Sequence, residues 1–437
     1  MVRSRILAEL FRNQTARQCG LLIGTQGVGM VLSLVFTLLI TKGLDVGSYG
    51  LFRYAMTFLG LTVTVLQLGW PYSAARLLAV EKQPSAQREI VGACILITLA
   101  SAAVGAAATL VVFFAAEGMG YHLPRILLWV APFLHVALGQ YMIRNVCQGL
   151  NRISLLSFQQ VLPYLLLLPL TAVQIFLFRE YSLVAAVAGY VLVFSAVVGL
   201  GFIQLGFSFG DWTSWLRVIG RENRKTGFPI YIGGIFGVAS SQVVSLSVAE
   251  FVDPATYGQF ALALAISAPL AVLVSSVGTV VFRSSSNTQA LSKRVLFYSF
   301  ALGAFLGLFY LVATDSLLVR MFGARYESSV RMAQALGVSS LMIGLGDIFQ
   351  RFLGSHGQGK ALCLIAISTG AVGIASAAAL LPAWKVYGAV ASNVFSAATY
   401  LGLMVGMYIL HTRPRDPDLV EREGAGALAP KMGSGAA

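Results

Sequence analysis

The sequence predicts an all-α membrane protein, with twelve transmembrane helices in two six-helix parallel pseudo-repeats around a central cavity. Three observations lead there. The chain is 57% hydrophobic and only 11% charged, against about 25% charged in an ordinary soluble domain, so water would leave much of its apolar surface unburied. Apolar runs of about 18 residues or more, long enough to cross the hydrocarbon of a bilayer, recur nearly end to end. An eight-residue pattern also returns at the same place in each half. A membrane β-barrel would instead show shorter alternating segments of roughly ten residues.

Taken in order, the spans fall at 19–41, 50–70, 90–115, 126–149, 154–178, 182–206, 228–250, 258–282, 295–314, 331–352, 361–382 and 388–410. Residues 1–206 form one six-helix lobe, 207–227 a connector, 228–411 the second lobe and 412–437 a polar tail expected to be disordered. In the connector, Trp212, Trp215, Leu216 and Ile219 alternate with Arg217, Arg221, Arg224 and Lys225, the pattern of an amphipathic stretch lying in the membrane interface. Of the 30 Lys and Arg residues, 22 fall on the side of the N-terminus and 7 on the other. That asymmetry places both termini in the cytoplasm.

The same asymmetry accounts for the net charge of +13 without nucleic acid as a partner. Cys19, Cys94, Cys147 and Cys363 lie in or beside apolar runs with no metal-ligand spacing, so no metal is expected. The opening stretch, with Arg3, Arg5, Arg12 and Arg17, is too polar for a cleavable signal. No GxxxxGK[ST], HExxH or GxSxG motif occurs, so no enzyme and no cofactor is expected.

Residues 45–52 read DVGSYGLF and residues 253–260 read DPATYGQF. Asp45, Tyr49, Gly50 and Phe52 match Asp253, Tyr257, Gly258 and Phe260 at one constant offset. Each block precedes the second span of its half, and each of those spans ends near an arginine, Arg76 or Arg283. Two like-oriented bundles of this kind leave a cleft between them that can open to one side and then the other.

Charge inside a span costs about 2.5–3.5 kcal/mol on insertion scales and marks a cavity or a partner. Arg53, one turn into the second span, and Arg144, near Gln140 and Gln148, are the leading cationic candidates, with Arg76 and Arg283 at helix ends. Tyr54, Gln67 and Gln140 add candidate sugar contacts. His135, which follows Pro132, and Asp347 are the candidates for ion coupling. Asp347 and Arg351 are four residues apart and share a helix face, so they can pair. Pro132, Pro163, Pro169 and Pro269 should interrupt their helices, and Gly20, Gly24, Gly27 and Gly29 should let the first span pack closely. The cationic balance suits an anionic ligand such as a phosphate or pyrophosphate.

Several segments resemble the polysaccharide-transport family of the multidrug/oligosaccharidyl-lipid/polysaccharide exporter superfamily. They are TKGLDVGSYGLF at 41–52, LGWPYSAARLLA at 68–79, GFPIYIGG at 227–234, DPATYGQF at 253–260, MFGARYESSVRMAQAL at 321–336 and YGAVASNVFSAATY at 387–400. The resemblance covers about residues 15–410. It implies a bacterial inner-membrane flippase that moves an undecaprenyl-pyrophosphate-linked oligosaccharide by alternating access. Membrane lipids and other polysaccharide assembly proteins would be its partners. The chain departs from the family at Gly43-Leu44, where Leu-Gly is usual. It departs again at Ser240, Ser241 and Gln242, where the seventh span often carries an aspartate. The rivals are a cation-coupled multidrug exporter on the same architecture, which needs buried carboxylates, and a membrane glycan polymerase or ligase, which needs a large outward loop. A scaffold without transport is a third.

Overall fold

The computed structural model describes residues 14–178, 181–285, 289–356 and 358–412. Among them there are helices and no strands. The side chain of Arg283 and residues 413–437 of the expected tail lie outside the described residues. Fifteen α-helices follow one another. They are α1 Gln14–Gly43, α2 Val46–Leu66, α3 Trp70–Val80, α4 Pro84–Gly118, α5 Ile126–Val130, α6 Leu134–Gly149, α7 Ile153–Phe176 and α8 Leu183–Leu205, then α9 Trp212–Glu222, α10 Phe228–Phe251, α11 Pro254–Ser285, α12 Lys293–Phe322, α13 Ser329–Ser355, α14 Gly359–Trp384 and α15 Val386–Thr412. Twelve spans are long and apolar enough to cross a membrane, α5 and α6 together forming one. Only α3 and α9 are too short.

The aspartate of each repeat copy has a local purpose. Asp45 caps α2 by accepting hydrogen bonds from the backbone N–H groups of Gly47 and Ser48, at 2.9 and 3.0 Å. Asp253 does the same for α11, accepting from the N–H and the hydroxyl of Thr256. A cap satisfies backbone donors that the first helical turn leaves open. The bonds from Ser48 hold the Asp45 carboxyl below the usual carboxylate range. Burial opposes ionisation of Asp253, but Thr256, Ala255 and Lys385 outweigh it and its carboxyl is lowered too. Each cap therefore stabilises the fold at neutral pH and loses that contribution as pH falls through its lowered value.

The second span differs from expectation. It starts at Val46, four residues early, because the cap is Asp45. It stops at Leu66, where Leu68 and Gly69 take positive φ angles of 45° and 83°, and the chain restarts as α3. Arg53 therefore lies two turns into its helix, and Arg76 sits on a separate helix. In the second half α11 runs without a break to Ser285. A Cβ on Gly69 would stand 2.4 Å from the backbone of Gly227, so the corner needs glycine for both conformation and space. Gly69→Ala is expected to cost about 2–3 kcal/mol, from left-handed strain and backbone overlap. A melting temperature in detergent equal to wild type would refute this.

Pro132 does interrupt its span, as one 3-10 turn at Ala131–Phe133. Pro163, Pro169 and Pro269 stay inside continuous helices, because their neighbours keep the helical path. Of the first span's glycines, a Cβ on Gly29 would lie 3.6 Å from the Gln160 carbonyl oxygen, whereas one on Gly24 or Gly27 would have nothing within 4 Å; the surroundings of Gly20 lie outside the described residues.

The apolar core explains the shape. One cluster joins both lobes at the end of the bundle that carries the repeat motifs, with Tyr49, Phe52 and Leu59 packed in one mass with Tyr257, Phe260 and Tyr326. At the opposite end, where the connector lies, the cores are separate. Leu78, Ile90, Val146 and Phe202 pack within the first lobe, and Ile348, Phe352, Ile365 and Met404 within the second. The lobes are fused at the motif end and parted at the connector end.

Candidate functional site

At the motif end the two copies of the repeat touch each other. A Cβ on Gly50 would lie 1.7 Å from the Pro254 carbonyl oxygen, and one on Gly258 would lie 2.7 Å from that of Val46. Glycine at both positions lets the backbones of α2 and α11 meet directly. Around this contact the lobes are joined by polar pairs. Tyr54 donates to the Glu250 carboxylate, the Thr57 and Tyr257 hydroxyls are 2.7 Å apart, and Arg325 donates to the Thr41 carbonyl. The Tyr49 and Tyr326 rings meet edge to face at 6.3 Å.

Below this seal two cavities lie in the connector half. The first, about 540 Å³, is walled by α2, α6, α7, α8 and the start of α10. Arg144, Gln67, Gln140, Gln159 and Gln160 line it, with Tyr72, Tyr141, Tyr164, Tyr190 and Tyr231. Gln67 Oε1, Gln159 Nε2 and Gln160 Oε1 are buried without a hydrogen-bond partner, a state that costs free energy until a ligand or water fills it. Among the described residues Arg144 is the one charged residue in the lining. The second cavity, about 840 Å³, is walled by α10, α13, α14 and α15 and has no charged lining residue among the described residues. Gly234 and Val238 of α10 line both.

The structure thus brings together three of the predicted residues, Gln67, Gln140 and Arg144. Arg53 lies behind the wall, its guanidinium within electrostatic reach of Tyr49, Tyr164, Tyr190 and Tyr257. Its Nε is buried and unpartnered, and Tyr164 and Tyr190 separate it from the first cavity. Tyr54 instead joins the seam between lobes. His135 rests against the Pro132 carbonyl at 3.2 Å and the Ser195 hydroxyl at 3.4 Å. Asp347 accepts from Tyr400 at 2.8 Å, and it is Tyr400 that faces the second cavity. No ion pair joins Asp347 to Arg351 among the described residues; the tyrosine takes the carboxylate.

Arg76 is on the outside of this arrangement. It forms an ion pair with Glu222 at 2.8 Å and donates to Thr226, tying α3 to the connector. With the Arg76 side chain 60% exposed, such a pair contributes about 0–1 kcal/mol. Arg76→Ala is accordingly expected to lower stability by less than about 1 kcal/mol and to leave any anion binding at Arg144 unchanged. A binding titration showing a tenfold loss would contradict this placement. Sequence reasoning missed Gln159 and Gln160, although two adjacent amides inside an apolar span were a visible signal. It also missed Glu250, the last residue of the expected seventh span.

The two lobes are thus joined at one end and parted at the other around a polar cleft. A sequence profile described as "Polysaccharide biosynthesis protein" matches residues 15–282, and the chain belongs to that family. No curated protein matches the chain by sequence. Among solved structures, an inward-facing multidrug resistance MATE family transporter of the MOP superfamily aligns over 92% of this chain and 96% of its own, with TM-score 0.66 and 12% identity. The lipid II flippase MurJ in an inward closed conformation aligns over 89% of this chain and 87% of its own, with TM-score 0.66 and 13% identity. An outward-facing MATE family transporter aligns over 93% of this chain and 98% of its own, at TM-score 0.55 and 12% identity. At these identities the likeness is one of fold.

Proposed function

We propose that the protein flips a pyrophosphate-linked saccharide lipid across the bacterial inner membrane by alternating access. The carrying observation is the first cavity, where one arginine and several unpartnered amides line a space between lobes that are sealed at the far end. Arg144 would hold the pyrophosphate by charge-assisted hydrogen bonds. Arg53, behind Tyr164 and Tyr190, adds positive potential deeper in. The glutamines supply donors and acceptors for sugar hydroxyls. The lipid tail stays in the bilayer while the headgroup crosses.

With the positive-inside orientation, the connector end faces the cytoplasm and the cleft is loaded from that side. The better superposition on the inward-facing MATE transporter than on the outward-facing one agrees with this. Among the described residues no carboxylate lines either cavity, which weighs against a cation-coupled exporter. Deleting the gene should trap lipid-linked saccharide on the cytoplasmic leaflet, as read by its protection from an external glycosidase, and the reintroduced wild-type gene should release it. Normal surface glycan in the deletion strain would overturn the reading.

A further inference from the structure

The two cavities differ in charge. The first holds the Arg144 guanidinium and the unpartnered Gln159 Nε2 as donors, beside the Tyr72–Tyr141 hydroxyl pair and the unpartnered oxygens of Gln67 and Gln160. Such a surface suits phosphate oxygens.

The second cavity is polar without a charged lining residue among the described residues. Ser241 donates its proton to the Val238 carbonyl at 2.8 Å, and Ser396 to that of Thr369 at 3.2 Å. Asn393 donates from its amide nitrogen to Ala389 at 3.0 Å, which turns the amide oxygen elsewhere. Tyr400 gives its proton to Asp347. These protons are engaged and leave oxygen lone pairs open, while the Gln350 amide, whose oxygen lies 3.0 Å from the Tyr400 hydroxyl, keeps its N–H donors. Thr369 Oγ1 is buried with no partner. With no charge in its lining among the described residues, the wall disfavours an anion and matches an uncharged ligand rich in hydroxyl groups, which both donate and accept. The cavities meet at Gly234, where a Cβ would have nothing within 4 Å, so one headgroup can extend through both.

We infer that the second cavity is the saccharide site. The uncharged sugars distal to the phosphate lie against Ser241, Thr369, Asn393 and Ser396, while the pyrophosphate stays at Arg144. This rests on the flippase reading for the identity of the molecule. It adds that glycan selectivity is set in the second lobe.

Cys363 lines this cavity as a free thiol and serves as the reporter. The full-length protein in vesicles is alkylated with N-ethylmaleimide, and the Cys363 peptide is followed by mass spectrometry. The probes are the phosphate-free oligosaccharide released by mild acid from the source cells' lipid-linked precursor, and inorganic pyrophosphate. The oligosaccharide should slow alkylation in the wild type and equally in Arg144→Ala, and pyrophosphate alone should not. Asn393→Leu should raise the half-protecting concentration about fivefold, the worth of one neutral hydrogen bond. Ser396→Ala, a milder change, should act in the same direction. Failure of the oligosaccharide to protect the wild type overturns the assignment. So does protection lost in Arg144→Ala but kept in both second-lobe variants, or protection given instead by a polyprenol added to the vesicles. If protection holds while the deletion strain exports glycan normally, the saccharide site stands and the flippase reading falls.

Discussion

Gly50→Leu is expected to abolish transport by preventing the lobes from meeting at the motif end. The Cβ alone would stand 1.7 Å from the Pro254 carbonyl oxygen, which is backbone and has no rotamer to yield. Overpacking in a close-fitted interior costs about 1–3 kcal/mol, occasionally more, and a collision with main chain belongs at the upper end. About 3 kcal/mol is a shift of roughly 150-fold in a two-state equilibrium, enough to depopulate the sealed state. Gly258→Leu should give the same result, since its Cβ would meet Val46 and Gly50 from the other side. A cysteine placed at Thr57, beside the contact, would then react with an impermeant maleimide added outside. Unchanged labelling together with normal glycan export would show that the glycine contact does not govern the seal.

The second large effect concerns the arginines. Arg53→Ala combined with Arg144→Ala should fail to restore export in the deletion strain. A hydrogen bond to a charged group contributes about 1.5–3 kcal/mol, so losing the Arg144 contact should weaken headgroup binding by about 10- to 150-fold, and losing the positive potential of Arg53 should add to that. The single variants should separate the roles. Arg144→Lys keeps the charge without the planar fork and should retain part of the activity. Arg53→Ala should do less direct damage to binding, because Tyr164 and Tyr190 stand between Arg53 and the cavity. The double variant is assayed by the export of surface glycan in cells where its membrane level matches wild type. Full rescue by it would refute the phosphate clamp.

Much of this architecture was legible in the sequence because lipid imposes a simple code. An apolar run long enough to span is a helix, and all twelve expected spans coincide with helices. The repeat was also legible, as a match between Asp45-to-Phe52 and Asp253-to-Phe260. Its meaning was not. Nothing in the letters says that the two glycines are each other's neighbours, because that contact spans 208 positions and depends on how the lobes dock. The corner at Leu68–Gly69 was hidden for a related reason. Its residues are as apolar as the span they end, and the break is set by the approach of Gly227 from the connector. Arg76 looked like a candidate because sequence shows its charge and not Glu222, which lies far along the chain and neutralises it. In the cavity, Gln67, Gln140 and Arg144 could be picked out as polar residues in apolar surroundings. Their convergence with Gln159 and Gln160 required the packing of α6 against both α2 and α7.

The fused core at one end gives the molecule the mechanics of a pair of tongs. From Gly50 to Leu66 the second helix extends about 24 Å beyond the fulcrum, at 1.5 Å per residue. A rocking of one arm by about 10° moves its tip by about 4 Å over that length, while the atoms at the fulcrum hardly travel. Small chemistry near Gly50 and Gly258 is thereby geared up into a wide aperture for a bulky cargo.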